Sequence, residues 1–433
     1  MDWPAIWALM VGLVVGLMAI GLPVAFAFLI ANLVGAYLFL GGSIGVSQFL
    51  SSSVSSVTSF ALVPVPLFLL MGELFFHTGL ARRVFDALDV LLGNLPGRLS
   101  FLAVGGGTLF AALSGSSMAN TAMLGALLVP EMRRRGYRSS MSIGPILGTG
   151  GLAMIIPPSA LAVLLGSLAR IDIGALLIAG LLPGLILALL YAALIGLRLW
   201  FNPELAPHYA VAPSPWRSRL KRLFAEVLPM GFVVALVVGV ILAGWATPTE
   251  AAAFGVVGVL VLAVVYRCLS VAALTAALQG ALRVTAMTFL IIMMSSTFAQ
   301  ILAFSGASAG MIGWATAIDV SPLIMLLAMF GILLFLGMFM DQLSMMLLTV
   351  PVFIPLATQL GFDLVWFGVI MLLALEISFT TPPFGLLLFV MKGVVPEVSM
   401  AEIVVAGLPF IACAMLLVLL LVLFPDIALV LVR

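Results

Sequence analysis

Apolar runs long enough to cross a bilayer recur from end to end of this 433-residue chain, and that recurrence restricts the fold more than any single motif. In hydrocarbon the backbone must satisfy its own hydrogen bonds, which leaves helices or a closed barrel. Runs of about 20 apolar residues, rather than short alternating strands, select helices. Only 8% of the residues are charged, about a third of the share in a soluble domain. The chain therefore reads as an all-α polytopic protein of the lipid bilayer. Its N-terminal "MDWPAIW" carries an acid and no Lys or Arg, unlike a cleavable signal peptide, so the first span is expected to stay in place.

The residues leave little for soluble-type chemistry. The net charge is +1 and the basic residues are scattered between spans, so nothing points to nucleic acid. Cys268 and Cys413 fall in separate apolar segments and read as two buried thiols. Two histidines, His77 and His208, make no metal cluster, and no HExxH, P-loop or GxSxG pattern occurs. Glu73 and His77, four apart, read as a pair on one helix face.

Positive charge orients the spans. Spans are expected at about 4–22, 23–41 and 63–80, followed by a basic segment with Arg82, Arg83 and Arg98. The stretch 99–131 has basic residues at both ends, which predicts a helical hairpin that turns near "LSGSSMAN" and leaves by the face it entered. A span at 140–168, another at 174–200 and a basic cytoplasmic loop at 201–224 complete a first half, 1–224. The second half, 225–433, has spans at 227–246, 250–267 and 284–304, a hairpin at about 321–355, a broken span at 363–391 and a last span near 406–430. In this arrangement the N-terminus lies outside and only Arg170 and Arg433 of the 17 basic residues do, leaving 17 − 2 = 15 cytoplasmic.

The halves match at an offset of 225 residues. Pro4 falls on Pro229, Pro23 on Pro248, Pro130 on Pro355, and Pro157 and Pro158 on Pro382 and Pro383; Gly136 falls on Gly361. With the opposite orientations above, this is an inverted-topology repeat, a signature of secondary transporters.

Two adjacent prolines interrupt an apolar span in each half, at "IIPPSAL" and "FTTPPFG". A proline inside a helix removes a donor and costs roughly 3 kcal/mol. Such breaks persist where unwound backbone lines a buried polar site, with carbonyls and hydroxyls for a cation and half-helix N-termini for an anion. In the first half, Ser114, Ser116, Ser117 and Asn120 at the hairpin tip are expected to face "GTGG" and Pro157, Pro158 and Ser159. In the second, the tip with Asp341 is expected to face Thr380, Thr381, Pro382 and Pro383. Ser116 to Pro157 and Asp341 to Pro382 are both 41 residues apart, so the constellation itself is duplicated. An intramembrane carboxylate is functional by default, although Asp341 is also placed to cap a helix.

These residues resemble the large membrane subunit of tripartite ATP-independent periplasmic (TRAP) transporters, the DctM-like family. "SGSSMANTAMLG", "IIPPS", "ATPTEAAA", "VPVFIP" and "TPPFG" carry the likeness, which extends over essentially the whole chain. It implies an elevator-type secondary importer of a small organic anion, driven by a sodium gradient across the bacterial inner membrane, with Na+ as coupling ion and no other cofactor. It implies two partners, a small four-span membrane subunit and a periplasmic substrate-binding protein. By motif, a first sodium site would use Ser114, Ser116, Asn120, Gly150 and Gly151, and a second would use Gly337, Asp341, Thr380 and Thr381. Ser117, Pro157, Pro158, Ser159, Pro382 and Pro383 would lie against the substrate. The likeness departs at Glu376, where the family more often carries an amide. A buried glutamate can hold a proton, so Glu376 is a candidate proton or coupling residue. A stand-alone ion-coupled dicarboxylate carrier, or an intramembrane enzyme using Asp341 and Glu376, are the alternative readings.

Overall fold

The computed structural model describes residues 2–207, 215–317, 321–338, 340–383 and 385–433. His208 and much of the expected 201–224 loop, Phe339 of the second tip and Phe384 of "TPPFG" lie outside the described residues. Every regular element among the described residues is helical. Side chains cap many of the helix starts, where backbone N–H groups would otherwise go unpaired. Asp172, Ser270, Ser321, Asp363 and Ser399 each accept from a first-turn N–H, and Thr247 with Glu250 forms a full capping box.

Among the described residues, six helices are long and apolar enough to cross a membrane, or seven if the bent pair Pro64–His77 and Leu80–Leu92 is one span. Several of the shorter apolar helices are parts of a hairpin or of a broken span. The hairpins are Arg98–Ser114 with Ser117–Arg134, and Pro322–Leu336 with Gln342–Gln359. The broken spans are Ser139–Gly150 with Ala160–Ala169, and Leu364–Thr380 with Leu386–Val394.

The 225-residue offset is visible in the elements themselves. Ser117–Arg134 maps onto Gln342–Gln359 residue for residue, and each is followed by a left-handed glycine, Gly136 at φ 81° and Gly361 at φ 74°. The Pro157–Pro158 and Pro382–Pro383 peptide bonds are both cis.

Three sequence expectations change. The span expected from residue 284 belongs to a 34-residue helix, Val271–Phe304. At 1.5 Å per residue that is about 51 Å, longer than the hydrocarbon core, so hydropathy detects only the part beyond the exposed Arg283. The basic segment after residue 80 is a surface helix, bent 63° from its predecessor at Gly79. It buries Leu80, Ala81, Val84 and Phe85 and exposes Arg82, Arg83 and Asp86, the pattern of an amphipathic helix. The loop expected over 201–224 becomes helical at Trp216 and continues to Leu242, carrying its basic residues on a helical extension.

Apolar side chains gather in two cores. The larger joins both hairpins and both broken spans to Ile173–Phe201 and Met400–Leu423. The smaller joins Trp3–Ala19 and Val24–Phe39 to the end of the long helix, where Phe28 meets Phe298 edge to face at 5.0 Å. Lipid is as apolar as leucine, so close packing rather than escape from water holds these helices together.

The repeat supplies its own topological test. Arg134 and Gln359 are exposed, equivalent positions at the ends of the two hairpins. Single cysteines there, in a background free of Cys268 and Cys413, are expected to react with an impermeant thiol reagent from opposite sides of the membrane. Reaction of both from one side would remove the inverted arrangement.

Candidate functional site

The two halves meet at one carboxylate. Glu376 is 4% exposed, near the end of the first part of the second broken span. Its Oε2 accepts from Ser117 Oγ at 2.9 Å and from Gln342 Nε2 at 2.8 Å. Ser117 begins the inner helix of the first hairpin and Gln342 begins that of the second; 117 + 225 = 342, so the donors are repeat equivalents. The equivalent of Glu376 is 376 − 225 = 151, and Gly151 stands opposite it: a Cβ there would lie 2.9 Å from Glu376 Cγ. One half supplies an acid, and the other supplies the space it occupies. The second oxygen, Oε1, is buried with no hydrogen-bond partner.

A second polar group lies beside Gly150. Asn120 is fully buried and its Nδ2 donates to Thr149 O at 2.9 Å and Gly107 O at 3.3 Å, which fixes the amide and leaves Oδ1 without a partner. The buried Thr121 Oγ1 is also unpartnered, and a Cβ on Gly150 would overlap it. Here the helix Ser139–Gly150 passes into a single 3-10 turn, Gly151–Met154. Buried unpaired oxygens are costly, and hard oxygens beside unwound backbone suit a sodium ion. Thr121 was absent from the sequence-based set although it adjoins Asn120. Gln342 was absent too, and carrying the 225-residue offset from Ser117 would have found it.

Other expected residues serve the local backbone. Ser114 Oγ accepts from Ser116 N at 3.4 Å, Ser116 caps Ala119 N at 3.3 Å, and Ser159 caps Ala162 N at 3.2 Å. Asp341 caps the second inner helix, accepting from Ser344 N at 3.0 Å and from the Ser344 hydroxyl. Thr380 and Thr381 hydroxyls donate to Ile377 O at 3.0 and 2.7 Å. Gly337 lies against Ser378, in space that a Cβ would fill. Each tip was expected to face the break of its own half. Gly115 does adjoin the Pro158 carbonyl, but Ser117 reaches across to the other half's broken span. The breaks also differ: residues 151–160 are all buried, with Pro157 and Pro158 against the apolar Leu177 and Val237, whereas Pro383 is exposed. Glu73 and His77 pair at 3.2 Å, apart from this centre.

The shared acceptor makes a stability prediction. Glu376→Gln keeps a carbonyl oxygen for both donors and is expected to unfold in detergent within about 1 kcal/mol of the parent protein. Glu376→Leu strands two buried donors and is expected to cost roughly 1–3 kcal/mol for each. Equal thermal midpoints for the two variants would show that Oε2 does not join the halves.

Residues 11–427 match the family described as "Tripartite ATP-independent periplasmic transporter, DctM component". The chain is 31% identical over 401 residues to the C4-dicarboxylate TRAP transporter large permease protein DctM of Pseudomonas aeruginosa, covering 90% of this chain and 92% of that one. It is 30% identical over 417 residues to the sialic acid TRAP transporter large permease protein SiaM of Vibrio cholerae, covering 96% of each. The fold resembles the crystal structure of the YdaH transporter of Alcanivorax borkumensis, with TM-score 0.66 and 14% identity over 92% of this chain and 97% of that one. A duplicated helical membrane fold, a centre built where two hairpins meet two broken spans, and a family match over nearly the full length lead to one conclusion: the chain belongs to the DctM component family of TRAP transporters, a transport protein and not an enzyme.

Proposed function

We propose that this protein is the translocation subunit of a binding-protein-dependent importer, moving a small organic anion together with sodium. It lies in the bacterial inner membrane with its N-terminus on the periplasmic side. The observation that carries the sodium assignment is the pair of buried, unpartnered oxygens on Asn120 and Thr121 beside Gly150. A cation there receives oxygens that otherwise have no partner. Asp341, Thr380 and Thr381, with the backbone at Gly337, form the second ion site once Asp341 gives up its cap to Ser344. A small four-span membrane subunit and a soluble binding protein complete the system. The carboxylate cargoes named for the two relatives, C4-dicarboxylate and sialic acid, set the class of substrate.

The hairpins and broken spans all contribute to the larger core, which also takes in Pro64–His77, Leu228–Leu242 and Pro248–Val265; the N-terminal helices and the end of the long helix make up most of the smaller one, with Met340 and Leu348. We infer that the hairpins and broken spans slide as a unit against the other helices, the elevator motion. One break closed and the other open is what a single end state of that motion presents. The alternative, a stand-alone anion carrier, is separated by one control: it would transport without a binding protein.

The test is uptake into proteoliposomes holding both membrane subunits, with loaded binding protein outside and an imposed sodium gradient. Thr121→Val preserves shape and removes one oxygen, and is expected to raise the sodium concentration for half-maximal uptake about tenfold, as the loss of roughly 1.4 kcal/mol of ion binding would. Asp341→Asn and Thr381→Val are expected to shift the same curve in the same direction. Sodium curves that superimpose on the parent's for Thr121→Val would sink the first site, and for Asp341→Asn the second. Glu376→Gln with an unchanged sodium curve and an altered pH profile would assign Glu376 to a coupled proton.

A further inference from the structure

A cleft of about 770 Å3 lies between the two groups of helices. The long helix contributes Ser296 and Gln300 on one side; Ser167 and Arg170, at the end of Ala160–Ala169, stand on the other, with residues 347–355 of the second inner helix. Arg170 is the one charged residue among those lining it, and hydroxyls and an amide make up the rest of its polar wall. The nearby Asp172 caps Ala175 N at 2.6 Å and lines a different cleft. Such a cleft carries a positive field and attracts anions.

Arg170 is held there at a cost. It occupies the left-handed position after its helix, φ 54°, where glycine is the usual residue and a side chain costs about 1 kcal/mol. Its guanidinium has no hydrogen bond or ion pair among the described residues, and the side chains of Ser167, Ser296 and Gln300 are likewise uncommitted. The cleft wall is tied to the helix that begins at Gln342. Ser295 Oγ donates to Leu347 O at 2.8 Å on its inner wall. Leu347 follows Gln342 by five residues, a rise of about 7.5 Å, and Gln342 holds Glu376.

We propose that this cleft receives the transported acid and that Arg170, with Ser167, Ser296 and Gln300, binds its carboxylate before the acid reaches the centre at Glu376. A guanidinium offers a carboxylate two parallel hydrogen bonds, and the hydroxyls and amide supply further donors. The inference rests on the reading that the cargo is an organic anion.

The test reads the cleft directly. Ser296→Cys is introduced into the full chain lacking Cys268 and Cys413, in membrane vesicles, and modified with an anionic sulfonatoethyl or a cationic trimethylammonioethyl methanethiosulfonate. With Arg170 present the anionic reagent is favoured. Arg170→Gln is expected to lower the anionic-to-cationic rate ratio by about fivefold, the effect of one unit charge some 8 Å away in water, and Arg170→Lys to preserve it. Arg170→Gly, which suits the left-handed backbone, is expected to match Arg170→Gln, so loss of folding cannot account for the change. Millimolar succinate is expected to slow the anionic reagent with Arg170 and not with Gln. A ratio untouched by Arg170→Gln and Arg170→Gly, or succinate protection that survives both, would overturn the inference. The labelling needs no transport. A charge-selective cleft in a reconstituted complex that moves no organic acid would count against the proposed function alone. Transport whose half-saturation ignores Arg170→Gln would count against this inference alone.

Discussion

The arrangement depends on a single oxygen that accepts two hydrogen bonds from two halves of the chain. Glu376 Oε2 sits between Ser117 and Gln342, each at the first turn of a hairpin's inner helix. A buried carboxyl group is costly, and the two bonds to Oε2 offset part of that cost. Those bonds fix how close the two tips must stand and how the second broken span must be rotated between them. The neighbouring elements conform: Gly151 has no side chain to obstruct Glu376, and the caps by Ser116 and Asp341 start the two inner helices one residue before the donors.

Two features follow from the repeat without being symmetric. The first break is packed under apolar side chains, while the second is open at Pro383. The first hairpin presents Asn120 and Thr121 to its own broken span, and the positions 225 residues on are Met345 and Met346, both buried apolar side chains. Duplication therefore supplied the scaffold, and divergence at a few positions made one half polar where the other is greasy. Ion chemistry need not be the same at the two tips.

Much of this was legible in the sequence. The hairpins, the breaks and their separation by 225 residues show because proline and glycine punctuate a chain whose spans otherwise lack distinguishing marks. The second inner helix begins where Asp341 predicts, since a capping side chain is a local signal. Three things were not legible. The part of the long helix before residue 284 was missed because hydropathy measures lipid contact, not helicity. The surface helix after Gly79 was read only as a basic segment because its charges dominate the local pattern, although Leu80, Ala81, Val84 and Phe85 form the face it buries. The contact of Ser117 with Glu376 joins residues 259 apart; spacing within one half says nothing about a bond between halves.

The glycine opposite Glu376 also bears on symmetry. At a two-fold axis, whatever one half places there the other would place as well. Two identical halves would bring either two acids into the space of one, where their charges and volumes collide, or two glycines, leaving Ser117 and Gln342 nothing to bond. No pair of equal halves can build this centre, which requires the two halves to differ at this position. The helix Trp216–Leu242, which runs through residues 224 and 225, keeps an acid on one side and its absence on the other in a single chain.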